Sequence, residues 1–598
     1  MFADGKRRRD VRLRVCAAAT AAGRTALVLG LAAALAWAGT TQREEVSRKF
    51  EKTQTIAAGQ PVRLENSLGS IILRGGPGPD VRISATIRAS APRLEDANKY
   101  ADEIKIEVEQ SGSMLLIRTR YPQQEQRSWF GSRNVSYGVD YDVTIPENAP
   151  LQIRNSFGSV DVSGIKGGSD IDNSHGKMTV RDTRGTQQLK NSFGSVEISN
   201  NTGEVVITNQ NASVTAGAID GALTVRNRFG QINVGKISKG VTIVNSNGAV
   251  NLTDTGGPSS VTNSFGSLTA TDIRGDLTMR NSNGSVTVRN IQGLADLTNS
   301  FATISATEIK GRLAVSSTNS RVDASRIGGE AQIRTTFGTV ELRDVGGAAD
   351  AESSNGALLI RDIRGPATLR TSFAKIDAAT IGGNANVSTS NGSVLLVGVK
   401  GAAEVRSSFG TVEASDIRDG MRVITGNGTV RLTDVGGETY VRTSFGLVSV
   451  TRIGGPLRVE NSNGGVRASS VNGGASVRTS FGSVSLDGIG GAVDVDNQNG
   501  AVEIAVLPSK GAQKCFNVTA RTSFSPLRLQ WPDGVGANVE ARTSFGKIRS
   551  EHPLVVSGFE NPEALSGKIG NGGCELRLTN SNGNIELLKS MARSTQND

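Results

Sequence analysis

Ten phenylalanines, Phe157, Phe193, Phe229, Phe265, Phe301, Phe337, Phe373, Phe409, Phe445 and Phe481, stand 36 residues apart without a slip. Midway between them come Asn211, Asn247, Asn283, Asn319, Asn355, Asn391, Asn427, Asn463 and Asn499, with His175 in the first such place. The repeating unit is therefore 18 residues long and begins twenty times between Asn155 and Asn497. A chain written this way cannot gather one bulky core. Each unit has to bury its apolar face against its own copies.

With the opening Asn, Ser or Thr of each unit as position 1, position 6 is Val, Ile, Leu or Met in all twenty copies and position 8 is Val, Ile, Leu or Ala. Position 7 is polar except at Leu359 and Leu395. That alternation marks a strand with one buried face. Apolar residues return at position 17 and usually at 15, while glycine dominates positions 4 and 13, where the chain must turn. Each unit reads turn, strand, turn, strand. Stacked in parallel, such units predict an all-β fold, a parallel β-solenoid (β-helix) with 18-residue coils. With rungs about 4.8 Å apart, the twenty coils make a rod of about 95 Å. A coil of 36 residues would stack Arg334, Arg370, Arg406, Arg442 and Arg478 of position 18 directly above one another, where like charges repel. The shorter coil interleaves them with acids such as Glu352, Glu460 and Asp496 or with neutral groups, and is the expectation. The position 3 phenylalanines are expected to pack at a corner, over the smaller Asn and Gly of neighbouring rungs; exposed stacking against sugar or protein is the alternative.

The regular spacing covers 155–514, and an open stack of strands needs covering at both ends. Candidate strands at Val81–Ile87, Ile104–Val108 and Met114–Thr119, with a helix over about Arg93–Asp102, predict an irregular N-terminal β-rich cap region over 51–154. A polar linker is expected at 39–50. The echoes "RTSFSPLRL", "RTSFGKIRS" and "TNSNGNIEL" predict C-terminal cap coils over 515–590, before a polar tail at 591–598.

Residues 1–38 have the build of a signal peptide: a basic start, "KRRRDVRLR", then an apolar run from Thr25 that ends in Ala36-Trp37-Ala38. Cleavage after Ala38 is favoured over a retained signal anchor. Either way the remainder is expected to be extracytoplasmic, in the periplasm, at the cell surface or membrane-anchored facing outside. Membrane contact is expected only through this segment, if it is kept. Without its seven basic and two acidic residues the net charge falls from +10 to +5, which removes the compositional case for nucleic acid. The two remaining cysteines, Cys515 and Cys574, form a possible disulfide closing a loop of about 60 residues. Two buried free thiols are the alternative.

The stretches "YDVTIPENAPLQIRNSFGSVDV", "NSNGSVTVRNIQG", "TSFGKI" and "LTNSNGNIELLK" resemble the bacterial "putative adhesin" family of β-strand-repeat proteins of unknown function. The chain is more distantly similar to the head-GIN auto-transporter adhesin domains. The resemblance covers about residues 50–590 and implies an extracytoplasmic β-solenoid, with some relatives resembling envelope-stress components. It brings no catalytic residue.

No catalytic, cofactor-binding or metal site is expected from the residues themselves. His175 fills a slot otherwise held by asparagine, His552 falls in a cap loop, and both read as turn residues. Asp182, Asp254, Asp272, Asp344, Asp362, Asp416 and Asp434, all at position 10, are the calcium candidates, but the G-x-G-x-D spacing of calcium β-rolls is missing. They are expected to bond their own turn backbone. A possible contact loop lies in Tyr121 to Gly138, with Arg127, Trp129, Phe130, Arg133 and Tyr137; a lid over the first rung accounts for the same aromatics. The expectation is an exported non-enzymatic scaffold or adhesin-like protein of the bacterial cell envelope, with a surface protein or polysaccharide as partner. The alternatives are a carbohydrate-active β-helix enzyme, a polysaccharide lyase or hydrolase, and an envelope-stress sensing component. An ice- or mineral-binding rod would need two flat outward columns of threonine, and only position 1 drifts that way, after Asn299.

Overall fold

The computed structural model describes residues 43–122, 135–508, 515–556 and 562–590. The expected export segment and the tail 591–598 lie outside the described residues. Every regular coil stacks on its own copy 18 residues away: Val160 pairs with Met178, and Met178 with Val196, in parallel. The coil length expected from the charge column is the one observed. Two long sheets result, of 27 and 28 strands. One collects the strands around positions 6 to 11, the other those around positions 15 to 1. Both are open, because their pairings run in a line from one outer strand to another.

Positions 6, 8, 15 and 17 point between the sheets, as in Val250, Leu252, Leu277 and Met279, all fully buried. Position 11 joins them, and simple alternation does not account for it. In every copy from Gly164 to Gly488 position 10 takes a left-handed conformation, with φ between +49° and +70°. That residue bends the strand, so that position 11, for example Ile273 or Ile417, returns to the core. Asp and Asn tolerate this backbone better than most side chains, which explains why aspartate recurs there.

Position 1 is buried in every regular coil but that of half-buried Ser317, so its Ser and Thr column does not face outward. The Asn281 amide donates to the carbonyls of Gly266 and Gly284, each at 3.0 Å, tying one turn to the next. In later coils a hydroxyl does the same, as Thr371 does to Gly356 at 3.3 Å. The Asn281 Oδ1 finds no donor, which lowers the net worth of the amide. Asn281→Ala is therefore expected to cost about 1–2 kcal/mol in urea unfolding, and Asn281→Thr less.

Both ends of the rod are built by back-insertion. The coil made by Val62–Glu65 and Ile71–Gly76 lies between the first regular coil and the later strands Met114–Arg120 and Ser136–Pro146. Antiparallel strands then cover the stack: Asp80–Ala91 on Ser136–Pro146, Glu44–Thr55 on Asp80–Ala91, and Lys105–Ser111 on Met114–Arg120. The expected linker at 39–50 is thus corrected, since from Glu44 onward it is the outermost strand. Its sequence, EEVSRKFEKTQT, carries the charges that discourage further strand addition. Helix Leu94–Glu103 turns the buried Ala97 and Ala101 inward, and Arg48 holds it through Asn98 at 2.8 Å.

At the other end, Cys574–Asn580 and Ile585–Ser590 insert between the coil of Val518–Thr522 and Leu527–Pro532 and that of Ala537–Thr543 and Ile548–Ser550. A disulfide joins Cys515, just before the inner of these coils, to Cys574, which opens the inserted one. The antiparallel strands Ala564–Ile569 and Leu554–Val556 complete that end.

Candidate binding surface

Each coil makes two connections between its sheets, at positions 2 to 5 and at positions 10 to 14, and these form the two edges of the rod. At the first edge the phenylalanines point outward. Phe157, Phe265, Phe373 and Phe481 are 50%, 54%, 64% and 64% exposed. The expected corner packing is corrected: the rings lean on their neighbours but leave about half their surface to solvent. The cause is the turn itself. Position 1 is buried and position 4 must be small, because a Cβ on Gly248 would lie 2.2 Å from the Gly230 carbonyl oxygen. The side chain between them is left facing out.

Room does not force a ring onto alternate rungs only. His175 stacks between Phe157 and Phe193, with centroids 4.4 and 4.7 Å away and planes within 15°. At four of the later intervals the asparagine folds back: the side-chain amides of Asn211, Asn355, Asn463 and Asn499 donate to the preceding coil's backbone at 3.1 to 3.4 Å. The alternation also survives the inserted C-terminal coil. In sequence Phe524 and Phe545 follow one another, but in space Asn582 lies between them, its amide bonded to Ser523 while Phe545 bonds to Ser581.

The opposite edge holds an open groove of about 910 Å³ across six rungs from Thr380 to Asn472, lined by Lys400, Asp416, Arg418, Asp434 and Arg452. Arg452 donates to Asp434 at 2.7 Å and holds its carboxyl below the usual range. The expectation that position 10 aspartates bond their own turns is not met at Asp182, Asp254, Asp272 and Asp434. The partners of these four are on neighbouring rungs, as with Asn200 on Asp182 at 3.0 Å and Arg274 near Asp254 at 3.5 Å. Among the described residues no group of three or more His, Cys, Asp or Glu is placed to hold a metal ion.

Of the expected contact loop, Arg127, Trp129, Phe130 and Arg133 lie outside the described residues. Tyr137 stacks on Tyr100 at 5.9 Å and leans on Tyr121 at 5.7 Å. The Tyr121 hydroxyl donates to Asn66 at 2.6 Å, and burial raises its pKa. Burial also pushes Tyr141, 2.6 Å from Thr119, up to about 12. These tyrosines therefore pack the N-terminal end. His552 is buried against the last strand, 3.2 Å from the Leu588 carbonyl. On the described residues no helix is long and apolar enough to cross a membrane.

No family model and no curated protein matches the chain. Among solved structures, the crystal structure of a "putative cell adhesion protein" from Clostridium sporogenes is similar at 10% identity, over 41% of this chain and 100% of that one, with a TM-score of 0.17. At that score the likeness carries nothing over to this chain.

Proposed function

We propose that this chain is an exported, non-enzymatic rod that acts at the cell envelope as an adhesin-like scaffold, binding through its repeated phenylalanine edge. The observation that supports the reading is the row of exposed rings, every second rung, over the whole length of the rod. An apolar stripe of this extent is unusual on a protein surface that meets only water. Many weak, equivalent contacts on one stiff body bind a repetitive partner by multivalency. Successive Phe→Ser changes along the edge are therefore expected to weaken retention of the purified chain on envelope preparations more than proportionally to the number of rings removed. Retention unchanged after half the rings are gone would reject the reading. A carbohydrate-active enzyme would instead work from the groove, and turnover of a polysaccharide that is lost in Asp416→Asn would favour that alternative.

A further inference from the structure

We propose that the occupant of the phenylalanine edge is a second copy of this chain, docked antiparallel so that the rings of each rod enter the asparagine intervals of the other. This rests on the reading that the edge is a binding surface and names its partner. Rings on alternate rungs stand about 9.6 Å apart, which leaves room between them for one flat group. His175 is such a group, and it fills the first interval of the same rod. In four of the intervals that follow, those of Asn211, Asn355, Asn463 and Asn499, the asparagine is folded back onto its own rod.

A partner that fills these intervals together must repeat at the same spacing, and a copy of this rod does so by construction. A closed two-fold pair needs the axis perpendicular to the rods, because an axis along them would set ring against ring. Like charge is muted along this edge: position 2, which flanks the rings, is uncharged in every regular coil except at Arg228, and the position 5 cations Lys177, Arg321 and Lys375 are paired within their own rod to Glu197, Glu341 and Asp377. Ten half-exposed rings offer roughly 750–1,250 Å² from each copy, against about 800 Å² per partner in a stable interface.

His175 also fixes the register. It closes the interval between Phe157 and Phe193, so the longest unobstructed zipper uses the ten phenylalanines from Phe229 to Phe545 and the ten asparagines from Asn211 to Asn582. Phe229 then faces Asn582 of the partner subunit, Phe545 faces the partner's Asn211, and the two-fold axis falls between Phe373 and Asn391.

The test uses the full chain with Cys16→Ser, its internal disulfide kept. Sedimentation should show a dimer. Phe265→Ser, Phe301→Ser, Phe337→Ser and Phe373→Ser together should leave the β-sheet circular dichroism spectrum in place and weaken dimerisation about a thousandfold or more. Under mild oxidation Asn391→Cys should give an intermolecular disulfide, while Asn283→Cys, about 50 Å from its counterpart, should not. A dimer indifferent to the four serines, or equal cross-linking at both sites, overturns the zipper. A chain that stays monomeric while the same variant loses retention on chitin, cellulose, purified peptidoglycan or phosphatidylglycerol vesicles overturns it too, and leaves the binding-surface reading standing. A zipped dimer that shows no retention on envelopes supports the zipper and overturns the adhesin-like role at the envelope.

Discussion

Deleting residues 574–590 is expected to unravel the C-terminal end of the rod while leaving its middle intact. Those residues form the rung between two others, so their loss removes a partner from each. Leu576, Leu578, Ile585 and Leu587 are fully buried, and four such side chains contribute about 6–12 kcal/mol. In a one-dimensional stack each rung answers only to its neighbours. Hydrogen exchange should therefore show protection lost over 518–556 and kept in the coils before 500. The disulfide staples the same rung. Cys515→Ser with Cys574→Ser should cost about 4 kcal/mol at that end and nothing measurable in the central coils. Uniform loss of protection along the rod would contradict the back-inserted arrangement.

The second large effect is expected at the glycine column. Gly248 has φ +127°, and a Cβ there would lie 2.2 Å from the carbonyl oxygen of Gly230. Gly248→Val places a branched side chain on that backbone and against that oxygen, at a cost of about 3–5 kcal/mol. The break should be local, so limited proteolysis should cut near 230–248 and release two resistant fragments. Gly248→Ala should be milder, because Ala212 and Ala302 hold the equivalent position at φ 143° and 77°. If the valine variant resists protease as the parent does, close stacking of the turns is not what requires glycine there.

Two features of the rod bear on how much a repeat discloses. Ile273 and Ile417 were as visible in the sequence as Val250, yet strict alternation had no place for them, since only the left-handed residue before each shifts the inward phase by one. The phenylalanines were the most conspicuous signal in the chain, and their direction was the part not legible. Whether a side chain at a turn packs or projects depends on the path of the turn, which period alone does not encode.

The period together with the alternating charges of position 18 determined the coil length, the register and most of the core, because each strand's partner is its own copy and the spacing of copies is written in the chain. Tertiary structure alone decided the order of the end rungs. There the sequence neighbour is not the spatial neighbour: Asn582 comes to rest between Phe524 and Phe545, and the coil from Val62 lies inside one formed later in the chain. A terminal rung is placed by the energy of covering an exposed sheet end. That energy is the same whichever segment arrives, so only the assembled stack shows which one did.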